Sequence, residues 1–244
     1  MVHSKKFATH PRIEKSSSFA KRVSIHLCIS EKSRKLLHSV HHSLNRKPVL
    51  GIFLDTEANG LNSQIHKILE LAYKIVDLRT GLLKDEYQTI VAQPIEAWEK
   101  SDQESLRVNG FTWDEVCQGK TPRQVSQHVI DSFTALGIKR KQAVFICQNP
   151  SFDRVFFSQL IDPDTQEMLS WPYHWLDLAS MFWAVSMQKA KRDQGPFPWE
   201  TGLSKDLIAS QYQLPSESKP HRAMNGVAHL VLCYQAVVGF PNPF

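Results

Sequence analysis

The chain has 244 residues, 42% of them hydrophobic and 22% charged, which is the balance of a soluble globular protein with a core of its own. It contains no run of eighteen apolar residues and no apolar centre of a secretory signal, so a cytoplasmic protein without a membrane span is expected. The net charge of +5 is unevenly spread: residues 1–47 carry eleven Lys/Arg against two Asp/Glu, and residues 48–244 carry eighteen against twenty-two.

That imbalance predicts a basic, partly disordered extension over 1–47 and a folded domain over 48–244. A basic arm suits phosphate or an acidic partner, and a plain solvated tail accounts for it equally well. Within the arm, Val23–Ile29 alternates like a strand, while Leu36, Leu37, Val40 and Leu44 recur at helical spacing. Pro48 opens the body, and Val49–Leu54 is a short apolar run suited to a central buried strand. Strands are expected over Ile68–Asp77 and Leu82–Val91, with Arg79-Thr-Gly81 as the turn between them and antiparallel pairing among the first three. Residues 94–137 read as helical, with Thr112 as a cap and Pro122 at a first turn. Gln142–Cys147 is another buried strand. Asn149-Pro150 starts a helix with Asn149 as its cap and Phe152, Val155, Phe156 and Leu160 as its apolar face. Trp175–Leu178 leads into a helix through Met187, and residues 189–199 read as a polar surface loop. A helix over Leu203–Gln211 and a last one from near His221 to Gly239 complete the chain. The order predicts an α/β fold, a mixed sheet flanked by helices. Cys28, Cys117, Cys147 and Cys233 show no C-x-x-C spacing and read as reduced thiols.

Asp55 and Glu57 stand two apart at the end of the first strand, so their side chains share one face. Two carboxylates so placed repel, and a proton or a cation must relieve them. Mg²⁺ takes oxygen ligands and keeps room for a phosphate. An Asp-x-Glu triplet arises by chance roughly once in a chain of this length, so its weight comes from the apolar run before it and the Asn59-Gly60 turn after it. Asp153 by itself reads as a favourable acid near a helix N-terminus, and His221 as a cap or surface residue. Trp171, Tyr173, Trp175, Trp183 and Trp199 are read as core residues before base-stacking ones.

Phe53-Leu-Asp55-Thr-Glu57-Ala-Asn-Gly60-Leu61 resembles the first motif of the DEDDh 3′→5′ exonuclease family, which includes the proofreading subunit of bacterial DNA polymerase III and ribonuclease T. Asn149-Pro-Ser-Phe152-Asp153 resembles the second motif, and His221-Arg-Ala223 the start of the third. Asp177-Leu-Ala and Gly202-Leu203-Ser-Lys-Asp-Leu207 resemble linking segments, and the order agrees over residues 48–238. The resemblance implies a ribonuclease H-like sheet and hydrolysis of DNA or RNA from the 3′ end with two Mg²⁺ or Mn²⁺ ions. Asp55, Glu57 and Asp153 would hold the metals, and His221 would be the general base. Thr56, Asn59, Leu61 and Asn149 would meet the substrate, and a DNA polymerase subunit is an implied partner. One departure stands out. The family places an Asp five residues after the His, where this chain has Gly226, which has no side chain to ligate a metal. Two readings follow: a 3′→5′ exonuclease weakened by the missing acid, or a catalytically silent module that still binds 3′ ends or a polymerase partner. On the sequence alone, Gly226→Asp is expected to rebuild the site.

Overall fold

The computed structural model describes residues 49–243, so the basic extension, its Val23–Ile29 and Leu36–Leu44 patterns and Cys28 lie outside the described residues. Five strands form one sheet: β1 (Leu50–Ala58), β2 (Ile68–Asp77), β3 (Leu83–Ile90), β4 (Ala143–Cys147) and β5 (Trp175–Asp177), in the spatial order β3-β2-β1-β4-β5. The first three are antiparallel, while β4 runs parallel to β1 and β5 parallel to β4. The sheet is therefore mixed, as the strand and helix order predicted. The central strands β1 and β2 are buried almost throughout, which is why they read as apolar runs rather than as alternations.

β1 is longer than expected. It pairs with β2 through Ala58, with Asp55 opposite Ala72 and Glu57 opposite Glu70. Its pairing with β4 covers only Leu50–Phe53. The acidic end of β1 thus projects past β4 and is paired on one side only. In a sheet of this kind the crevice beyond the carboxyl ends of parallel strands is where ligands bind. The β1–β2 connection, residues 59–67, is a broad loop rather than a tight hairpin. Asn59 closes it: its Oδ1 accepts from Lys67 N, and its Nδ2 donates to Ala97 O and Ser101 Oγ.

Helices cover both faces. Residues 94–137 divide into α1 (Ile95–Trp98), α2 (Gln103–Asn109), α3 (Trp113–Cys117) and α4 (Pro122–Ala135). Thr112 with Glu115, and Thr121 with Gln124, form capping boxes that start α3 and α4. After β4 come α5 (Pro150–Phe157) and α6 (Pro163–Met168). After β5 come α7 (Leu178–Ala190), α8 (Pro198–Thr201), α9 (Lys205–Gln211) and α10 (Ala223–Val237). One core cluster joins Ile52, Leu54, Phe133, Phe145, Phe156 and Phe157, which places α4 and α5 on one face. The other joins Phe53, Ile146, Leu178, Phe182, Val227 and Leu230, which places α7 and α10 on the opposite face. Since strand side chains alternate, Phe53, Asp55 and Glu57 share the α10 face.

Several local expectations are corrected. Asn149 precedes α5 but adopts a left-handed conformation (φ 56°, ψ 63°) and makes no side-chain cap. Its backbone N–H instead donates to Asp177 Oδ1 at 3.0 Å, tying the end of β4 to β5. Val155 points outward at 44% exposure, and Phe157 takes its place in the core. α7 continues to Ala190, and the expected loop over 189–199 already contains the start of α8. α9 begins two residues later than expected because Ser204 caps it, accepting from Leu207 N at 3.3 Å. His221 does not open α10: the helix starts at Ala223, whose N–H donates to the buried Glu70 Oε2 at 2.7 Å. Cys117, Cys147 and Cys233 are free thiols. Among the described residues no helix is long and apolar enough to cross a membrane.

Candidate functional site

The site lies at the overhanging end of β1. Asp55 and Glu57 emerge on the α10 face, and α5 brings Asp153 in from the far side of β4. The Asp153 side chain is 2% exposed, and its Oδ1 accepts from both Thr56 N and Thr56 Oγ1 at 2.9 Å. Thr56 is itself buried, so its hydroxyl serves Asp153 and not a ligand. Asn59 is likewise fully buried with its side-chain amide occupied, which leaves only backbone groups there for a ligand. Leu61 is 80% exposed at the rim. Together with Glu57, Gly60, Val108, Asn109 and Phe152 it lines a cleft of about 290 Å³. Asn149 is half-turned toward β5, its side-chain oxygen accepting from Ser151 Oγ.

On the opposite wall, α10 is held in place by tertiary partners. Arg222 stacks on the Phe111 ring at 3.9 Å from its centroid and pairs with Glu115 at 2.9 Å, while His221 N–H donates to Val108 O. These contacts fix the backbone at His221, whose ring lies beside Glu217. One turn further along, Gly226 faces Asp55. A Cβ at 226 would lie 2.2 Å from Asp55 Oδ2 and 3.0 Å from Lys205 Nζ. No side chain fits at 226 unless Asp55 moves.

Lys205 and Glu217 were not singled out in the sequence. Lys205 is the first residue of α9, and Gln148 anchors that helix start by donating to Leu203 O at 2.7 Å. Its ammonium stands 3.4 Å from Asp55 Oδ1 and 2.9 Å from Glu217 Oε2, and both the lysine and Asp55 side chains are 14% exposed. Glu217 is more deeply buried, and its N–H donates to Asp206 Oδ1. Its Oε1 makes no hydrogen bond and lies 3.3 Å from His221 Nδ1. His229, whose Nε2 lies 2.9 Å from Pro215 O, stands behind Glu217 and not in the cleft. A chain of contacts thus runs Asp55–Lys205–Glu217–His221, with the ammonium between two carboxyl groups. Its one sequence signal was a lysine inside a segment already recognised as Gly202–Leu207. Glu217 sits in an irregular polar stretch that carries no pattern.

The electrostatics follow from the burial of these groups. Burial, reinforced by Glu217 and opposed by Lys205, raises the Asp55 carboxyl to about 6. Burial and the neighbouring Asp55 and Glu70 raise Glu57 to about 8. Burial and Asp55 push Asp153 well above the usual carboxylate range, against the two bonds from Thr56. Burial disfavours the charge on Lys205, yet Asp55 and Glu217 outweigh it and hold the ammonium above the ordinary lysine value. The three acids therefore crowd one another, and Lys205 is the cation placed among them.

That arrangement does not fit a pair of divalent ions. Gly226 offers no ligand, an ammonium already contacts Asp55, and among the described residues no three His, Cys, Asp or Glu side chains converge as a metal-binding group. The Mg²⁺ or Mn²⁺ set expected on Asp55, Glu57 and Asp153 is thus incomplete in its charges and crowded in its space. The aromatic residues divide: Trp171 is core and Trp175 stacks on Phe145, whereas Trp199 is exposed and stacks on Phe197 at 4.5 Å.

No protein-family model and no curated protein matches the sequence. Solved structures do. One is a 3′-exonuclease described in 3′-end specific recognition of histone mRNA stem-loop, at 13% identity and a TM-score of 0.58, covering 86% of this chain and 73% of that one. Another is E. coli Exonuclease I in complex with a dT13 oligonucleotide, at 13% identity and a TM-score of 0.60, covering 79% of this chain and 41% of that one. The chain thus spans about two fifths of Exonuclease I. The mixed five-stranded sheet, its flanking helices and these similarities together show that the chain has the ribonuclease H-like fold found in 3′-exonucleases.

Proposed function

We propose that this protein binds the 3′ ends of single-stranded nucleic acid in an exonuclease-type cleft whose two-metal hydrolysis is disabled. The observation that carries this reading is Gly226, which faces Asp55 with no space for a side chain. The cleft between Leu61, Phe152 and Glu57 has apolar walls and an acidic floor, dimensions suited to a terminal base and its sugar. Stacking and apolar contact with a base would come from Leu61 and Phe152. The 3′-end recognition described for one structure of similar fold, and the oligonucleotide complex of another, support the ligand class.

A second reading, a metal-dependent 3′→5′ exonuclease acting on DNA or RNA, draws on the retained Asp55, Glu57, Asp153 and His221. Loss of even a supporting partner of a metal ligand costs about 10–100-fold in affinity or activity, and loss of a ligand itself costs at least as much. The deciding experiment combines anisotropy binding with release of label from 3′-labelled DNA and RNA, in Mg²⁺ and then Mn²⁺, with Asp55→Ala as control. Binding without release is expected. Release that disappears in Asp55→Ala would establish the exonuclease instead. The choice between DNA and RNA is a further outcome of the same binding assay.

A further inference from the structure

We propose that the Lys205 ammonium is a resident cation that replaces a divalent ion, so that the cleft excludes metal and engages a 3′ end without it. The engagement clause rests on the 3′-end reading above, whereas the exclusion of metal rests on geometry alone. Three distances converge on the ammonium. It lies 3.4 Å from Asp55 Oδ1, 2.9 Å from Glu217 Oε2 and 3.0 Å from where the Cβ of a residue at 226 would stand. It therefore stands beside both Asp55 and position 226, which supplies no acid. A divalent ion bound to Asp55 from that side would sit against this ammonium, which Asp55 and Glu217 hold from two sides.

The surrounding residues are consistent with a built replacement. Glycine at 226 leaves the site one negative charge short of an acid there, and Lys205 adds a positive charge at the other oxygen of the same Asp55 carboxylate. Glu217 then holds the far side of the ammonium, buried and aimed at it. The lysine is also firmly placed: Ser204 caps its helix, Gln148 ties the preceding carbonyl to β4, and Cys233 Sγ lies 3.8 Å from its own carbonyl oxygen. A lysine ammonium has three donors. Asp55 and Glu217 take two, which leaves one for a phosphate oxygen or a terminal hydroxyl that reaches Asp55. A point charge with a free donor is a common way to hold phosphate.

The inference revises the expectation that Gly226→Asp alone rebuilds the site. An aspartate there would stand against Lys205 and pair with it, so both positions must change together. The test measures uptake of Mn²⁺ by the protein without nucleic acid, alongside its melting temperature with and without Mn²⁺ and its binding of 3′-labelled oligonucleotides in chelator. Wild type is expected to take up no Mn²⁺ at this site, to melt at the same temperature either way, and to bind oligonucleotide equally well with the metal chelated. The double variant Lys205→Met/Gly226→Asp is expected to gain the Mn²⁺ uptake that wild type lacks, while Gly226→Asp alone gains none. Mn²⁺ uptake by wild type that disappears in Asp55→Ala would overturn the proposal without any need for the variants to fold. Absence of oligonucleotide binding, together with absence of Mn²⁺ uptake, would uphold the excluded metal and overturn the 3′-end reading instead.

Discussion

On the sheet side of the cleft, Asp55, Glu57 and Asp153 are gathered by one strand and one helix start, and burial pushes all three above the usual carboxylate range. On the helix side, Lys205, Glu217 and His221 come from a helix start and the irregular segment before α10, with the Lys205 ammonium paired to Glu217 and the His221 ring beside the same carboxylate. The sheet side is a set of like charges held together by the backbone. The helix side is a set of opposite charges that hold one another. Removing a member should therefore have opposite effects on the two sides, and stability measurements are the direct way to see it.

The largest effect is expected from Lys205→Met, which leaves Glu217 buried without its cation and Asp55 without relief. Breaking a buried pair by removing one partner costs about 3–5 kcal/mol, and urea unfolding should register it. A loss under about 1 kcal/mol would mean the ammonium is solvated and the comparison is misplaced. Glu217→Gln is next. It keeps the shape but removes the charge between Lys205 and His221, at about 1–3 kcal/mol by the same measurement.

Glu57→Gln should act in the other direction. The folded-state value of about 8 lies above the ordinary glutamate value of 4.5, so the protonated form contributes stability that is complete below pH 4.5 and lost as pH rises through 8. Glutamine imitates the protonated form at every pH. The variant should match wild type near pH 4.5, become the more stable of the two as pH rises, and show its full advantage above pH 8, measured by melting in chelator. An advantage that shrinks with rising pH would refute the crowded-acid account. Leu61→Ala should have the smallest effect on folding, within about 0.5 kcal/mol, because the side chain is 80% exposed. Its effect belongs to binding: a weaker grip on a 3′-terminal nucleotide, read by anisotropy, with melting unchanged.

The two sides also differ in how far the sequence exposes them. β1 and β2 are buried on both faces, so their composition marks them, and Asp55 and Glu57 stand out because acids are rare at the end of such a strand. The Asn149-Pro150 start marks the helix that carries Asp153, but by itself it reads Asp153 as an ordinary acid near a helix N-terminus, and only the motif resemblance singles that residue out. Lys205 and Glu217 carry no comparable mark. A lysine at the start of a short helix and a glutamate in a polar stretch both resemble solvated surface. Only the packing of α9 against α10 brings them under Asp55. His221 was legible as a residue but not as the start of α10, because what stops the helix at Ala223 is Glu70, on a strand far earlier in the chain. The effect of Gly226 was visible as a missing ligand. That Asp55 fills the space it leaves was not, since it depends on a close approach between β1 and α10.

That close approach also governs how the site could be altered. A side chain at 226 would strike Asp55 Oδ2 and stand beside the Lys205 ammonium, so an acid placed there displaces one neighbour and meets a cation in the same step. Removing Lys205 first strands Glu217 in the interior. Each single substitution is worse than standing still, so the cluster acts as a ratchet: an acid at 226 is accommodated only when its neighbours change with it.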